Sequence, residues 1–247
     1  MTIETGTPAA ENFLVSFFDI FFPPLCTLCE KDLKKEGAAF CRACEARFSS
    51  PAVKGPHCMV CGALFDSDAG GEHCCGECLK KAPPFELARS VYVYEGVVLE
   101  AVHAFKYSGR TVLAPALGTA MALKAEKEFP APDVAVPVPL YPARLRRRGF
   151  NQSLLLARRV AKALSIKVDY LNLERKVSTK SQVGLGHSER LSNVSGAFSV
   201  KDPAAFKEKK VLLIDDVYTT GATVRECSKV LKRAGAQICV LTLARAR

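Results

Sequence analysis

The chain has 247 residues, of which 49% are hydrophobic and 24% are charged. This composition is typical of a folded globular protein, excludes a disordered chain, and the length allows two domains. The sequence has no run of about 18 uncharged apolar residues, so a transmembrane helix is not expected. The net charge of +10 is unevenly divided, because residues 1–85 carry 8 Lys/Arg and 11 Asp/Glu whereas residues 86–247 carry 27 and 14. A basic surface is therefore expected on the C-terminal part.

The first segment, residues 1–24, contains an apolar run from Phe13 to Phe22 that includes Asp19 and ends at two prolines. We interpret this run as an amphipathic helix that docks on the protein, and a helix on a membrane surface is the other interpretation. The run lacks the positive leader and the small-residue cleavage site of a secretory signal. A cytoplasmic protein is therefore expected.

Cysteines dominate the second segment, residues 25–85. Nine of the 11 cysteines lie between Cys26 and Cys78. Eight of them form four Cys-x-x-Cys pairs, namely Cys26/Cys29, Cys41/Cys44, Cys58/Cys61 and Cys75/Cys78. In a reducing compartment such clusters bind metal rather than form disulfides, and two pairs supply the four thiolates of a closed tetrahedral site. The spacing predicts a double zinc ribbon with two structural Zn²⁺ ions.

Two points about the cysteines stay open at the level of sequence. A redox dithiol and a set of buried structural cysteines are competing interpretations, although a redox pair usually lies in a βαβ pattern that this segment lacks. The pairs can also combine in two ways, sequentially as two ribbons or interleaved as a cross-brace, and we favour the sequential form. Cys74, next to Cys75, is a spare ligand.

From about residue 86 the pattern changes to alternating strands and helices. Strands are predicted at Ser90–Tyr94, Val134–Val138, Lys210–Ile214 and Ile238–Leu243, and helices at Val98–Tyr107, Leu113–Glu128, Gln152–Leu164 and Ala222–Ala234. This alternation indicates an α/β domain with a mostly parallel sheet over residues 86–247.

The segment from Val211 to Thr223 (VLLIDDVYTTGAT) carries the clearest functional signal. A buried strand delivers Asp215 and Asp216 to its carboxyl end, where ligands bind open α/β sheets. The turn that follows opens a helix whose free amides attract anions, and it contains Thr219, Thr220, Gly221, Ala222 and Thr223. Acids beside a phosphate cradle suit a sugar phosphate. An ordinary strand-to-helix turn is the alternative, but it would not need two acids at a buried strand end.

This segment resembles the signature of type I phosphoribosyltransferases. Further motifs, His103–Gly109 (HAFKYSG), Pro137–Leu140 (PVPL) and Arg148–Gln152 (RGFNQ), together with the cysteine pairs, resemble the ComF family. The resemblance implies a sheet with helices on both faces and a site for phosphoribosyl pyrophosphate with Mg²⁺. It also implies that Asp215 and Asp216 contact the ribose hydroxyls, that Thr219–Thr223 contact the 5′-phosphate, and that the protein takes part in DNA uptake or use.

By analogy with the fold, pyrophosphate would bind the loop Pro139–Gly149, which contains Arg144, Arg146, Arg147 and Arg148. Arg148 is the favoured contact because it belongs to the RGFNQ motif, and forked guanidinium donors suit oxyanions. Lys106 is a weaker candidate for this contact, because a lysine on an amphipathic helix is more often at the surface. His103, on the same predicted helix, is expected in packing or at the surface, and His187, in a loop, has a slightly better chance of contacting the ligand. The polar run Arg175–Asn193 is interpreted as a lid whose ligand contacts include Lys180 and Arg190.

A second function fits the same sequence. The basic domain, with the arginine cluster and with Arg158, Arg159 and Lys162, would serve a non-catalytic module that binds single-stranded DNA or proteins of the DNA-uptake machinery. No aromatic residues interleave with the basic stretch as a stacking platform would require. The sequence supports a donor site for a phosphoribosyltransferase and leaves the acceptor and turnover open.

Overall fold

The computed structural model describes residues 24–33, 38–48, 52–53, 55–65, 71, 73–178 and 194–247. The amphipathic helix expected within residues 1–24 lies outside these ranges, apart from Pro24. Within the described part of the chain, no helix is long and apolar enough to cross a membrane.

The strands of the described residues are β1 (Leu87–Val93), β2 (Val134–Pro137), β3 (Lys167–Val168), β4 (Leu173–Arg175), β5 (Phe198–Val200), β6 (Lys210–Tyr218) and β7 (Gln237–Arg245). Five of them form one sheet in the order β1-β7-β6-β2-β3, and every pair in it is parallel. Strand β6 continues to Tyr218, four residues beyond the predicted end. The acid pair is therefore part of the strand and has the fixed geometry of a sheet.

The helices are α1 (Arg42–Arg47), α2 (Gly76–Lys80), α3 (Gly96–Tyr107), α4 (Ala114–Glu128), α5 (Pro142–Arg148), α6 (Gln152–Leu164) and α7 (Ala222–Arg233), with 3₁₀ turns at Thr111–Leu113 and Pro203–Phe206. Helix α6 begins where the Asn151 side chain accepts a hydrogen bond from the Ser153 amide at 3.0 Å. The four long helices begin and end within two residues of their predicted bounds, because apolar spacing is a strong signal and a glycine follows closely after α3 and α7.

Successive residues of β6 face opposite sides of the sheet. Leu212 and Ile214 pack in the layer that holds α3, α4 and α6, whereas Val211 and Leu213 pack in the layer that holds α7 and the second set of cysteines. This alternation follows from the period of two in a strand. The architecture is the predicted one, a mostly parallel sheet with helices on both faces.

Two predicted loops contain regular structure. The stretch Pro139–Gly149 holds helix α5, which starts at Pro142 and ends at Gly149 in a left-handed conformation. A proline in the first turn and a glycine after the last are helix signals, which the interpretation of this stretch as a loop did not take into account. Arg175, the first residue of the predicted lid, belongs to β4, which pairs antiparallel with β5 and places Arg175 opposite Phe198. Residues 179–193 of the predicted lid lie outside the described ranges.

Candidate functional site

The cysteine pairs meet in two groups of four. Cys26, Cys29, Cys41 and Cys44 form the first cluster, and Cys58, Cys61, Cys75 and Cys78 form the second, with all sulfurs of a cluster within 4.8 Å of one another. These are the groups of the sequential arrangement. Cys74 belongs to neither group, and His57 and His73 also lie outside them.

Backbone amides favour the thiolate form of one cysteine in each cluster. Although burial favours the neutral thiol, amides including those of Cys29 and Cys41 lower the pKa of Cys26 to about 6. The Cys58 thiol is buried too, and amides including those of Cys75 and Cys61 lower its pKa to about 6. Thiolate is the form that binds zinc, and four sulfurs at this spacing fit a tetrahedral ion with no open position. The chemistry of both donor sets therefore fits structural Zn²⁺.

A cavity of about 600 Å³ opens at the carboxyl ends of β2 and β6. Its wall comes from α3, α5, the start of α6, strand β4 and the turn between β6 and α7. This is the edge of a parallel sheet at which ligands bind, because helix amino ends and loop side chains converge there. Both Asp215 and Asp216 line it.

The two acids have different partners. Asp215 Oδ1 accepts hydrogen bonds from Ser153 Oγ and from the Asp216 amide, each at 2.9 Å. Asp216 Oδ1 lies 2.7 Å from Lys106 Nζ, while Asp216 Oδ2 is buried and has no hydrogen-bond partner among the described residues. Burial, and next the charge of Asp216, raise the pKa of Asp215 to about 7. The pair is an incompletely satisfied acceptor that faces a cavity.

Lys106 is part of this site, contrary to the sequence expectation. Its side chain is 17% exposed and lines the cavity together with His103 and Tyr107 from the same helix. Burial opposes the charged form, but the attraction of Asp216 keeps the pKa of Lys106 above its ordinary value. The expectation failed because α3 lies across the end of the sheet and turns a polar position inward, which helix periodicity alone does not show.

The turn after β6 forms a cradle for an anion. Gly221 has a φ of 74° and precedes the first residue of α7, a helix of 12 residues. Thr219, Gly221, Ala222 and Thr223 line the cavity. Thr220 is not among the lining residues, and its hydroxyl accepts a hydrogen bond from the Ala222 amide at 3.4 Å. The amino end of a helix beside the acids suits a phosphate group.

We expect Gly221→Ala to destabilise the protein more than Gly149→Ala does. Both glycines have positive φ, but a methyl group at Gly149 has no atom within 4 Å, whereas one at Gly221 would lie 2.3 Å from Tyr218 Oη. The shared backbone strain costs about 1 kcal/mol, and the collision adds about 1–3 kcal/mol. Urea denaturation of both variants measures the difference. Equal losses would contradict the close contact.

Helical geometry divides the arginine cluster. Arg144 and Arg148 lie one turn apart on α5 and line the cavity, whereas Arg146 and Arg147 are exposed. Arg148 Nη1 donates to Gln152 Oε1 at 2.7 Å, and its guanidinium lies 5.5 Å from the Tyr107 ring centroid. Burial lowers the pKa of Arg148. Lys180, His187 and Arg190 lie outside the described residues.

The raised pKa of Asp215 predicts a pH dependence of stability. Its ordinary pKa of 3.8 applies to the unfolded chain, so between about pH 4 and pH 7 the folded state binds the proton more tightly. The contribution of Asp215 to the free energy of unfolding is therefore largest below pH 4. It falls by about 1 kcal/mol per pH unit up to pH 7. Urea denaturation of the wild type and Asp215→Asn across this range isolates the effect. Parallel pH profiles would contradict it.

Comparisons with known proteins agree with this geometry. Residues 17–85 match the double zinc ribbon domain, and residues 151–247 match the phosphoribosyl transferase domain. Competence protein F of Haemophilus influenzae is 32% identical over 92% of this chain and 99% of its own length. The chain belongs to the ComF family.

Other ComF-family relatives have similar lengths and overlaps. The DNA utilization protein YhgH of Salmonella typhi is 35% identical over 87% of this chain and 93% of its own length. Competence protein ComFC of Streptococcus pneumoniae is 30% identical over 73% and 83%. The fold assignment rests on the family match and on the parallel sheet.

The structure adds several residues to the candidate site that the ComF resemblance did not single out for a role. They are Tyr94, Tyr107, Gln152, Ser153, Arg175 and Tyr218, all of which line the cavity. Gln152 is the last residue of the RGFNQ motif, and this motif is the sequence signal that could have predicted its place in the site. Arg175 is the first residue of the run that the sequence predicts as a lid, and the β4–β5 pairing fixes its position beside the cavity.

Proposed function

We propose that the protein binds phosphoribosyl pyrophosphate with Mg²⁺ in the cavity at the carboxyl ends of β2 and β6. The observation that carries this proposal is the buried acid pair, with Asp216 Oδ2 unsatisfied among the described residues, directly before the anion cradle of α7. A ligand with neighbouring hydroxyls and a phosphate satisfies both features at once. Neither an isolated phosphate nor an isolated sugar does so.

Each part of the site has a role in this proposal. Asp215 and Asp216 accept hydrogen bonds from the ribose hydroxyls, and the turn Thr219–Thr223 holds the 5′-phosphate. Arg148 is placed for the pyrophosphate, with Arg144 and Arg175 as further cationic lining residues. Lys180 and Arg190 are proposed contacts from the segment between β4 and β5. Mg²⁺ bound together with the ligand would supply charge neutralisation when pyrophosphate leaves.

Chemistry at this site would be phosphoribosyl transfer. The bond between ribose C1 and the pyrophosphate oxygen breaks as the acceptor bonds to C1, and the sugar gains oxocarbenium character. The buried acids hold the sugar, and the arginines stabilise the departing charge. Because relatives are named for competence and for DNA utilization, we propose that this activity serves DNA uptake or use in the cytoplasm. We also propose the division into residues 25–85 and 86–247 as the working domain boundaries.

Thermal unfolding tests the binding proposal. Ligand at 100 times its dissociation constant adds about 2.7 kcal/mol to the free energy of unfolding, which raises Tm by about 5–11 °C for a protein of this size. We expect the shift with phosphoribosyl pyrophosphate and Mg²⁺ together, and a smaller shift with ribose 5-phosphate. Mg²⁺ is left out rather than chelated in the control, because a chelator would also remove zinc. No shift at millimolar ligand would contradict the proposal.

Binding of single-stranded DNA is a second candidate function. Arg146 and Arg147 are exposed on α5, whereas Arg144 and Arg148 of the same helix line the cavity. This exposure is the observation that favours binding of DNA. Affinity for an oligonucleotide should then fall steeply with salt, since the logarithmic slope is about −0.7 per phosphate neutralised. The Arg146→Ala/Arg147→Ala variant should bind more weakly with a shallower slope. A salt-independent affinity would exclude this function.

A further inference from the structure

The second cysteine cluster lies directly on the sheet. The Ala88 amide of β1 donates to the Val60 carbonyl at 2.7 Å, within the turn that separates Cys58 from Cys61. Gly62 has a φ of 70°, and a methyl group there would lie 2.7 Å from the Ala88 carbonyl oxygen. The turn that wraps the metal site therefore has almost no freedom to move relative to the strand.

Arg245 connects this turn to the strand that carries the acids. Its Nη1 donates to the Cys61 carbonyl at 2.7 Å, and the residue is only 6% exposed. Its guanidinium lies 4.8 Å from the ring centroid of Tyr218, the last residue of β6 and its neighbour in the sheet register. A cation stacked on an aromatic face and bonded to a buried carbonyl is held in one position.

Tyr218 connects Arg245 to the anion cradle. The ring fills the space beside Gly221, where an added methyl group would lie 2.3 Å from Oη and 2.5 Å from Cζ. Gly221 also sets the start of α7, because its carbonyl accepts the Arg225 amide at 2.8 Å. Arg225 makes a second contact between α7 and the layer that holds the second cysteine cluster. Its guanidinium lies 5.8 Å from the ring centroid of Phe85, which is buried in the same apolar layer as Cys78.

We propose that the second zinc cluster is a positioning element for the phosphate-binding turn, with Arg245 and Tyr218 as the positioning residues. Zinc fixes the Cys58–Cys61 turn, the Cys61 carbonyl fixes Arg245, and Arg245 holds Tyr218 against Gly221. Loss of this ion loosens the turn and weakens ligand binding without removing a single ligand contact. The ligand part of this inference rests on the proposed function, whereas the order of the turn does not.

The first cluster provides the matched comparison. Its neighbourhood is joined to the α/β domain elsewhere, because Arg110 donates to the Thr27 carbonyl and pairs with Glu30 at 2.5 Å. Arg47 pairs with Glu100 of α3 at 2.9 Å. These contacts lead to α3 and to the loop that follows it, and not to the turn after β6. Zinc at the first cluster is therefore expected to leave the phosphate-binding turn unchanged.

Amide hydrogen exchange of the ligand-free protein tests the coupling. The first-cluster variant replaces Cys26, Cys29, Cys41 and Cys44 with Ser, and the second-cluster variant replaces Cys58, Cys61, Cys75 and Cys78. We expect the second-cluster variant to exchange the amides of residues 219–224 about tenfold faster than the wild type, and the first-cluster variant to match the wild type. Equal rates in all three proteins, or equal acceleration in both variants, would overturn the proposal.

A variant that keeps both zinc ions distinguishes a loss of the coupling from misfolding of the zinc ribbon. Arg245→Met removes the donor and the cation but keeps the length of the side chain, and Arg245→Lys restores a cationic donor. We expect faster exchange of residues 219–224 in Arg245→Met with two zinc ions still bound, and partial recovery in Arg245→Lys. The Gly221→Ala substitution should also cost less stability in the Arg245→Met background, since Tyr218 is then able to move. Wild-type exchange in Arg245→Met would overturn the coupling.

Ligand binding then separates the two proposals. With phosphoribosyl pyrophosphate and Mg²⁺ as the probe, Arg245→Met should raise the dissociation constant about tenfold, an effect of about 1.4 kcal/mol. If the exchange rates respond as expected and the wild type binds no ligand, the coupling stands and the proposed function fails. If the wild type binds and Arg245→Met binds equally well, the coupling fails and the proposed function stands.

Discussion

We expect phosphoribosyl pyrophosphate with Mg²⁺ not to raise the Tm of the Asp215→Asn/Asp216→Asn variant. In the proposed complex the two acids accept hydrogen bonds from the ribose hydroxyls, and hydrogen bonds to a charged acceptor contribute about 1.5–3 kcal/mol each. Losing two of them removes a stabilisation as large as the whole expected effect of ligand. Differential scanning fluorimetry across a ligand titration provides the measurement.

The controls for this experiment follow from the partners of the acids. Asp216→Asn leaves the Lys106 ammonium without its carboxylate at 2.7 Å, so the variant is less stable before any ligand is added. Combining it with Lys106→Met restores charge balance and separates stability from binding. Asp202→Asn is the matched control, because that exposed side chain only accepts a hydrogen bond from the Ala204 amide. An undiminished shift in the acid-pair variant would place the ligand elsewhere.

We expect the first-cluster variant to retain one zinc ion per chain, and the second-cluster variant to do the same. Sequential clusters lose their ions independently, whereas an interleaved cross-brace would lose both ions in either variant. The zinc that remains keeps its own ribbon folded, since binding of a structural zinc contributes about 10–16 kcal/mol in small zinc domains. Inductively coupled plasma mass spectrometry counts the ions.

Cys74→Ser is the control for this count, because Cys74 belongs to neither group of sulfurs. It should retain two zinc ions and the Tm of the wild type. If the first-cluster variant contained no zinc at all, that result would contradict the sequential grouping. Loss of an ion from Cys74→Ser would instead make Cys74 a ligand in place of its neighbour.

The clearest features of the fold could be predicted from the sequence because the residues that indicate them lie close together in the chain. The spacing of the cysteine pairs predicted two metal sites, and the sulfurs meet in the favoured sequential groups. Helix α6 matches its predicted bounds because its apolar periodicity begins directly after Asn151, whose side chain caps the helix. Asp215 and Asp216 were found because a buried strand, two acids and a glycine turn are contiguous.

Other features depend on elements distant in sequence. Lys106 reaches Asp216 across 110 positions because α3 crosses the end of the sheet, and Arg175 reaches the cavity because β4 pairs with β5. Short strands such as β3, with two residues, carry too little pattern to be recognised without their neighbours. Such contacts depend on how layers stack, and periodicity within one element contains no information about that.

The sequence alone determined which local features this protein contains: eight paired cysteines, a parallel α/β domain, and an acid pair followed by a glycine turn. Only the tertiary structure decided which of these features contact one another. It divided four arginines into two that line the cavity and two that are exposed, and it set the second cysteine cluster against Arg245. The reason is physical, because residues that favour a metal or an anion lie close together in the sequence, whereas contacts between side chains far apart in the chain require them to share one packed layer.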